Sequence, residues 1–447
     1  MRVRTVTDFF DTEYLDYAKY VVTNRAIPHC IDGLKPTQRK IVYVANKIWK
    51  GGNEKPMKLF QLAGMVAAQA YYHHGNSSLE SAMVGMAQKF KNSLPLLDGI
   101  GQFGSLRSPS AGAPRYISAK LHPNFRLIYK DFELLTNKVE EGEEIEPEYF
   151  LPIVPTVILN GTSGIAVGFA TNILNRNPKD VVDACIAVLK GEKIKTLTPW
   201  VSEFNGTFTR DLGNPKTWKI SGSYEIVNTT TVKITEIPPS FTYERYEEHL
   251  NNLVEKKIIV SYDDNSADKI QYVLKFQRDV LKSYLTKDKL SNLLKLETQE
   301  TENLTTIDEN GNLKIFEKAE DIVSHFVGVR LDFYIKRKQF IIDKLNRELT
   351  LITGKARFIR DIIEGQLVIN NTPKQEIVQK LKSLKYIEID GSYNYLLNMP
   401  IHSLTKERFE ELLNEEGNKK TELEIIKGTD HKDMYMKDLL TLKQMIK

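Results

Sequence analysis

Tyr116 and its neighbour Arg115 are the residues whose types could do covalent chemistry together. They follow a stretch rich in glycine, serine and proline at 101–111, a composition that predicts an exposed, irregular loop. A phenol with its ordinary pKa of about 10 is a weak nucleophile at neutral pH, so a reacting tyrosine needs a group that stabilises developing negative charge. The Arg115 guanidinium could be that group. The alternative is that Tyr116 is one of 20 tyrosines and packs in a core.

Basic residues are concentrated in the part of the chain that holds this pair. Residues 1–130 contain 18 lysines and arginines against 8 aspartates and glutamates, although the net charge of the whole chain is only +4. A basic region around a candidate nucleophile fits a polyanionic substrate, of which nucleic acid is the commonest. A solvated basic surface without a partner explains the charge equally well.

Length and composition are typical of a soluble protein with several domains. The 447 residues suffice for about three domains, and the hydrophobic and charged fractions of 41% and 27% are ordinary. Cys30 and Cys185 have no metal-ligand spacing, the first residues are too polar for a signal peptide, and no apolar run approaches the roughly 20 residues of a membrane helix. We therefore expect a cytoplasmic protein with no membrane partner and no metal bound by this chain.

Apolar periodicity predicts helices around the candidate pair. One helix covers residues 14–22, and another begins at Pro36 with an apolar stripe. Gln38, Arg39 and Lys40 lie at the start of that second helix, where they would form a phosphate site together with the outward-pointing N–H groups. The stripe consists of Ile41, Val44, Ala45 and Ile48.

Two further helices give the layout of a helix-turn-helix. The first runs from Met57 to about Tyr71, and the second begins at Ser77, where residues 77–80 fit a capping box. In a basic region the second helix of such a pair can enter the major groove of DNA. Most helical hairpins bind no DNA, so the pattern alone is a weak signal.

The later sequence is mixed and then helical. Strand-like runs with glycines at 150–168 precede an α+β region that has a predicted hairpin of 218–226 with 231–234. From about residue 320 helical periodicity dominates, and it is interrupted around residues 370–395 and again at Gly428. Two long helices around a small insert predict a protruding antiparallel coiled coil, or equally an ordinary amphipathic helix pair.

Some nucleotide-binding motifs are absent from the sequence. There is no GxxxxGK[ST] phosphate loop, and no strand leads into an Asp-x-Asp pair that would hold Mg²⁺. If Tyr116 attacks a phosphate, the metal and any energy source must come from another chain.

Five motifs together resemble the breakage-reunion region of type IIA DNA topoisomerases, the family of the gyrase A and topoisomerase IV A proteins. In order they are NRAIPHCIDGLKPTQRK at 24–40, YHHG at 72–75, GQFGS at 101–105, PRY at 114–116 and NGTSGIAVG at 160–168. The resemblance implies a multidomain, mainly α fold with α+β parts. Its expected domains are a winged-helix DNA-cleavage domain at 1–145, an α+β tower at 146–320, and a coiled coil with a C-gate dimerisation region at 321–447.

The resemblance also implies a role for each matching residue. Tyr116 would attack a DNA phosphate and become linked to the 5′ phosphate, while Arg115 would stabilise the transition state. Arg25 and His74 match further groups around that phosphate. Ile165 matches an isoleucine that wedges between base pairs and bends the DNA. Other residues expected to bind DNA are Lys35, Gln38, Arg39, Lys40, Ser77 and His73, the last of which fits a structural role equally well.

Partners follow from the same resemblance. Two copies, each cutting one strand, would form a gate through which a second duplex passes, so that the enzyme relaxes and decatenates DNA. Mg²⁺ and ATP would both be bound by a separate gyrase B-like ATPase/TOPRIM subunit, because this chain shows neither those parts nor a DNA-wrapping pinwheel. The length and the His73-His74 pair are most like the split topoisomerases of T-even-like phages, which predicts a viral source and action in the host cytoplasm or nucleoid.

Two departures from the family pattern and two rival functions remain. Ser81 stands where quinolone-sensitive bacterial members have an acidic residue, which disfavours strong binding of those drugs, and Tyr72 replaces a bacterial histidine.

The first rival function is that of a non-catalytic helix-turn-helix DNA-binding or architectural protein in which Tyr116 only packs. The second, a tyrosine recombinase, fits poorly because that class carries its tyrosine near the C-terminus.

Overall fold

The computed structural model describes residues 6–50, 55–267, 269–285 and 289–446, with Asp8 described by its backbone alone. Its contacts divide into two compact units, Met1–Arg330 with Asp438–Lys447, and Leu331–Lys437. Helices dominate, and the named strands form several small antiparallel sheets. The expected fold class, mainly α with α+β parts, is confirmed. The three-domain division at residues 145 and 320 stays a prediction.

The first helices surround the start of the candidate site. Helices α1 (Val6–Phe9) and α2 (Leu15–Val21) are each followed by a π-helical turn, Phe10–Tyr14 and Val22–Ala26. Helix α3 (Pro36–Ile48) begins with its proline in the first turn, as predicted. Its predicted apolar stripe faces the interior, with Ile41, Val44 and Ala45 fully buried.

Helices α4 (Leu59–Gln69) and α5 (Asn76–Ala87) pack on each other and on α3, which confirms the helix-turn-helix layout. The predicted capping box at 77–80 is wrong. Gly75 has a φ of 81°, which the missing Cβ permits, and α5 begins directly after it without a side-chain cap. Ser77 therefore lies inside the first turn of α5.

A small sheet stands beside these helices in the position of a wing. Its three antiparallel strands are ordered β1 (Met57–Lys58), β3 (Ser118–Leu121) and β2 (Leu97–Ile100). The loop between β2 and β3 contains Tyr116, so the sheet fixes both ends of that loop. The segment after β3 is made of short elements: α6 (Pro123–Ile128), β4 (Tyr129–Lys130), a 3-10 turn (Phe132–Leu134), β5 (Asn137–Glu140), β6 (Glu143–Pro147), β7 (Leu151–Pro152), α7 (Thr156–Leu159), β8 (Thr162–Ile165) and β9 (Ala170–Ile173).

The α+β region contains two larger antiparallel sheets. One has the order β10 (Thr207–Arg210), β11 (Thr217–Ser221), β16 (Glu297–Thr301), and the other β12 (Ser223–Asn228), β13 (Thr231–Glu236), β15 (Tyr272–Phe276), β14 (Ile259–Asp264). The remaining elements are α8 (Pro178–Lys190), α9 (Tyr243–Glu255), α10 (Arg278–Tyr284), α11 (Lys289–Leu293), β17 (Leu304–Ile307) and β18 (Leu313–Phe316).

The predicted hairpin of this region is only half right. Strands β12 and β13 do pair, but the run 218–226 is not one strand, because it breaks at Gly222 and β11 joins the other sheet. A Cβ on Gly222 would lie 2.3 Å from the Glu236 carbonyl oxygen, so only glycine allows the two sheets to approach here.

Long helices make up the end of the chain. They are α12 (Ala319–Ile363), α13 (Lys374–Ser383), α14 (Asn394–Leu397), a 3-10 turn (Ile401–Ser403), α15 (Lys406–Gly428) and α16 (His431–Met445). Helices α12 and α15 run antiparallel, since Ile352 and Ile359 pack with Leu412 while Lys419 Nζ lies 2.9 Å from Glu348 Oε2. No helix in the described ranges is long and apolar enough to cross a lipid bilayer.

Candidate active site

Tyr116 projects its phenol into solvent from a backbone that is held on both sides. Its side chain is 68% exposed. Its N–H donates to the Ala113 carbonyl (2.8 Å), and its own carbonyl accepts from Lys58 Nζ (2.8 Å). The alternative in which Tyr116 packs in a core is therefore wrong.

Arg115 lies against the same ring. Its guanidinium carbon is 4.8 Å from the centre of the Tyr116 ring, within cation–π distance. Both side chains are exposed, so a substrate phosphate could meet the hydroxyl and the guanidinium together. The two side chains are therefore exposed and adjacent, while their roles as attacking group and charge stabiliser stay a prediction.

The loop before Tyr116 is irregular, as predicted, but it is not simply exposed. Phe103 and Arg107 are buried, and the Gln88 amide nitrogen donates to the Phe103 carbonyl (2.8 Å) and the Pro109 carbonyl (3.0 Å). Gln88, itself 2% exposed, thus clamps both arms of the loop from the end of α5. No sequence motif marks Gln88, because its role depends on contacts with distant backbone carbonyls.

The turn between α4 and α5 places two histidines beside the first helices. His74 Nε2 is 2.7 Å from the Tyr20 hydroxyl, and His73 Nε2 is 3.3 Å from Glu140 Oε1. A pocket of about 300 Å³ is lined by both histidines together with Tyr20, Lys40 and Glu140. The glutamate gives His73 a hydrogen-bond partner within this chain, which favours its structural role.

The polar residues at the start of α3 are occupied by contacts within the protein. Arg39 is 3% exposed and binds Asp32 through Nε (2.7 Å) and Nη2 (3.0 Å). Lys40 Nζ lies 3.0 Å from Glu146 Oε2, and Gln38 Oε1 accepts from the Lys35 N–H (3.0 Å). Two of the three guanidinium nitrogens of Arg39 are thus bound within the protein.

Lys35 links α3 to the hairpin that carries Ile165. Its Nζ donates to the Ser163 carbonyl (2.7 Å), and burial lowers its pKa. Ile165 is 88% exposed at the end of β8, an unusual position for a large apolar side chain unless something covers it. Arg25, at the end of the π-helical turn, and Ser77, on α5, are also exposed.

One group of possible metal ligands comes together among the described residues. The ligand atoms of Cys30, Glu309 and His325 lie within 4.8 Å of one another. Lys314 Nζ is 3.1 Å from His325 Nδ1, so a cation would lie near an ammonium group, and burial raises the pKa of the Cys30 thiol. This set offers a single oxygen ligand, the Glu309 carboxylate, beside a thiol and an imidazole, whereas Mg²⁺ prefers several oxygen ligands. We assign it no metal.

Comparisons with known proteins identify the family. The family of the A chains of DNA gyrase and topoisomerase IV matches residues 25–443. The DNA topoisomerase medium subunit of Enterobacteria phage T4 is 35% identical over 98% of this chain and 99% of its own length. The mitochondrial DNA topoisomerase 2 of Dictyostelium discoideum is 34% identical over 99% of this chain, which spans only 35% of that relative.

A solved structure extends the agreement to the fold. The Plasmodium falciparum topoisomerase II DNA-binding, cleavage and re-ligation domain has a TM-score of 0.86 and 32% identity, with 98% of this chain and 65% of that chain covered. Sequence and fold similarity together place the chain in the class of type II DNA topoisomerases. Within that class, the chain belongs to the family of the DNA gyrase and topoisomerase IV A proteins.

Proposed function

We propose that this chain is the DNA-cleaving subunit of an ATP-dependent type IIA topoisomerase, with Tyr116 as the nucleophile. The observation that carries the proposal is the exposed Tyr116 hydroxyl beside the Arg115 guanidinium, on a backbone fixed next to a helix-turn-helix. A core tyrosine would need no such setting. The basic surplus of residues 1–130 provides the long-range attraction that a duplex requires.

The proposed reaction is a reversible transfer of a phosphodiester. The Tyr116 oxygen attacks a backbone phosphate, forms a 5′-phosphotyrosyl ester and displaces the 3′ oxygen, which leaves as a hydroxyl. Arg115 stabilises the negative charge of the transition state, and Arg25 and His74 are assigned to the surroundings of the same phosphate. Because the phosphotyrosyl ester retains the free energy of the broken phosphodiester bond, resealing by the 3′ hydroxyl needs no ATP.

We assign Mg²⁺ and ATP to a partner subunit of the ATPase/TOPRIM kind. Among the described residues the only clustered ligand set is the Cys30 group, whose single carboxylate does not suit Mg²⁺. Exposed aromatic residues along the first helices support a surface that another chain covers. They are Phe9, Phe10, Tyr14 and Tyr17.

DNA handling and assembly complete the proposal. Ile165 inserts between base pairs and bends the cleaved duplex, at an unstacking cost of a few kcal/mol that wrapped contacts offset. Two copies of the chain form the gate, and the α12–α15 pair carries the lower dimer contact. The assembled enzyme relaxes and decatenates DNA in the cytoplasm, or in the nucleoid of a host cell for a phage source. The phage T4 relative is by its name the medium subunit of a topoisomerase, which supports assembly with other subunits.

Substitution of Tyr116 tests this function. In the assembled enzyme, Tyr116→Phe removes only the attacking oxygen, so we expect ATP-dependent relaxation and decatenation to be lost while DNA binding is kept. Tyr224→Phe, which alters an exposed tyrosine on β12, serves as the matched control and keeps full activity. Undiminished relaxation by Tyr116→Phe would support the rival, a non-catalytic DNA-binding protein.

A further inference from the structure

Arg107 is a buried charge in a loop whose composition predicts exposure. The side chain is only 7% exposed, and its guanidinium makes four hydrogen bonds. Burial of an arginine costs free energy unless its N–H groups find acceptors. Because the Arg107 guanidinium has four acceptors, it attaches the loop firmly to its surroundings, and we call this contact the Arg107 anchor. The acceptors are Glu236 Oε1 (2.7 Å) and the carbonyls of Ile237 (2.6 Å), Pro238 (2.8 Å) and Phe241 (3.0 Å).

These acceptors belong to a different sheet from the one that frames Tyr116. Glu236 ends β13 of the four-stranded sheet, and residues 237–241 lead from that strand into α9. A backbone hydrogen bond joins the same two segments, since the Tyr243 N–H donates to the Arg107 carbonyl (3.0 Å). Glu236 Oε2 in turn accepts from the Asn205 N–H (3.0 Å). Arg107 therefore ties the loop before Tyr116 to the body of the α+β region.

The other side of the loop is tied to the helix-turn-helix. Gln88 holds the carbonyls of Phe103 and Pro109, and the Gly112 N–H donates to the Gln102 carbonyl (2.8 Å). A cavity of about 520 Å³ borders Arg107, Glu203 and Glu236, which gives the loop room to shift once the Arg107 anchor is removed. The contacts of Gln88 and Arg107 hold the loop from two sides, and the loop leads directly to Tyr116.

We propose that Arg107 is a positioning residue for cleavage, which holds the Tyr116 loop at a fixed place relative to the α+β region. This inference rests on the proposed nucleophilic role of Tyr116. Displacement of a reacting group by about 1 Å can lower a rate by about 100-fold. Loss of the anchor thus slows covalent attack while DNA affinity is retained, because the Arg107 guanidinium is buried and bonded to acceptors within the protein.

A second buried pair provides the matched control. Arg176 is fully buried and binds Glu302 through Nη1 (2.9 Å) and Nη2 (2.7 Å), with further bonds to the carbonyls of Leu197 (2.8 Å) and Leu174 (2.7 Å). It resembles Arg107 in burial and in its four hydrogen bonds, but none of these four acceptors lies in the Tyr116 loop. Arg176→Gln therefore reports what loss of a buried arginine does to this protein in general.

The experiment measures single-turnover cleavage by the assembled enzyme with Mg²⁺. The substrate is a nicked duplex whose cleaved end dissociates, so that resealing cannot occur. At saturating DNA and below the unfolding temperature of every variant, we expect Arg107→Gln to form covalent adduct about 100-fold more slowly, with a DNA Kd within about twofold of wild type. Arg176→Gln should cleave within about threefold of wild type despite a comparable loss in Tm.

Conservative variants keep the test decisive if Arg107→Gln folds poorly. Arg107→Lys retains the charge but not the planar fork, and Glu236→Gln retains the shape but not the charge, so both should cleave at intermediate rates. Equal cleavage rates for the Arg107 and Arg176 variants, or a loss confined to DNA affinity, would overturn the inference. Absence of any Tyr116 adduct from the wild-type enzyme would instead refute the proposed function.

Discussion

Arg39 and Arg115 have the same side chain, and sequence reasoning assigns both to DNA, but their surroundings are opposite. Arg39 is 3% exposed and bound to Asp32, where burial alone would lower its pKa and the carboxylate outweighs that effect and raises it. Arg115 is exposed and lies against the ring of the residue beside it. The difference separates an arginine that stabilises the fold from one that is available to a substrate.

Arg39→Ala should give the largest loss of stability. Removal of the guanidinium leaves Asp32 buried and unpaired, which costs about 3–5 kcal/mol. Thermal unfolding measures the effect, and Arg25→Ala, an exposed arginine, should change stability by no more than about 0.5 kcal/mol. If folded Arg39→Ala instead lost DNA affinity at unchanged stability, Arg39 would contact the duplex directly.

Arg115→Gln should show the reverse pattern. We expect Tm to stay close to wild type, because the side chain is exposed, while single-turnover cleavage falls by about 10²–10³-fold through lost charge stabilisation. Arg245→Gln is the control, because Arg245 is also exposed and lies over an aromatic ring, that of Phe241 (5.8 Å), outside the proposed chemistry. Wild-type cleavage by Arg115→Gln would remove this residue from the mechanism and weaken the contrast with Arg39.

His29 extends the comparison to pH. Burial lowers its pKa to about 4 despite the opposing effect of Asp32. Between about pH 4 and 6.5 the unfolded chain therefore binds more protons at His29 than the folded chain does. The contribution of neutral His29 to the free energy of unfolding is fully present above pH 6.5 and is lost as the pH falls toward 4. It amounts to at most about 3 kcal/mol. Calorimetry should show that the stability of His29→Gln changes less with pH than that of wild type. The same slope of stability against pH in both proteins would exclude His29 as its source.

Ile165→Ala should have the smallest effect and should affect only the DNA complex. Loss of the apolar wedge should reduce the bend in bound DNA, measured by energy transfer between labelled duplex ends, and weaken bent-state binding by about 1–2 kcal/mol, roughly tenfold. Ile315→Ala, at another exposed isoleucine, is the control. An unchanged bend in Ile165→Ala would show that the exposed isoleucine has another role.

Much of the fold follows from local sequence signals. Pro36 sets the start of α3, the apolar stripe sets its buried face, and the break at Gly428 coincides with the end of α15. These features depend on residues a few positions apart, so periodicity and turn chemistry suffice to predict them. The predicted start of α5 is wrong because the Gly75 backbone conformation, and not the Ser77 side chain, determines it.

The site is only partly predictable for a physical reason. Exposure of Tyr116 and its contact with Arg115 agree with the motif, because the two are adjacent. Burial of Arg107 is not readable from its Gly/Ser/Pro-rich surroundings, since its partner Glu236 is 129 residues away in the sequence. Whether a charged side chain is committed to the fold is decided by such distant partners, which the amino-acid pattern around it does not reveal.

The most direct test of the account identifies the atom that holds the DNA. The assembled enzyme is incubated with Mg²⁺ and a labelled duplex, denatured during cleavage, digested with protease and analysed by mass spectrometry. The account predicts a 5′-linked nucleotide on the peptide that contains Tyr116, and no such species with Tyr116→Phe. A nucleotide attached to any other side chain would contradict it.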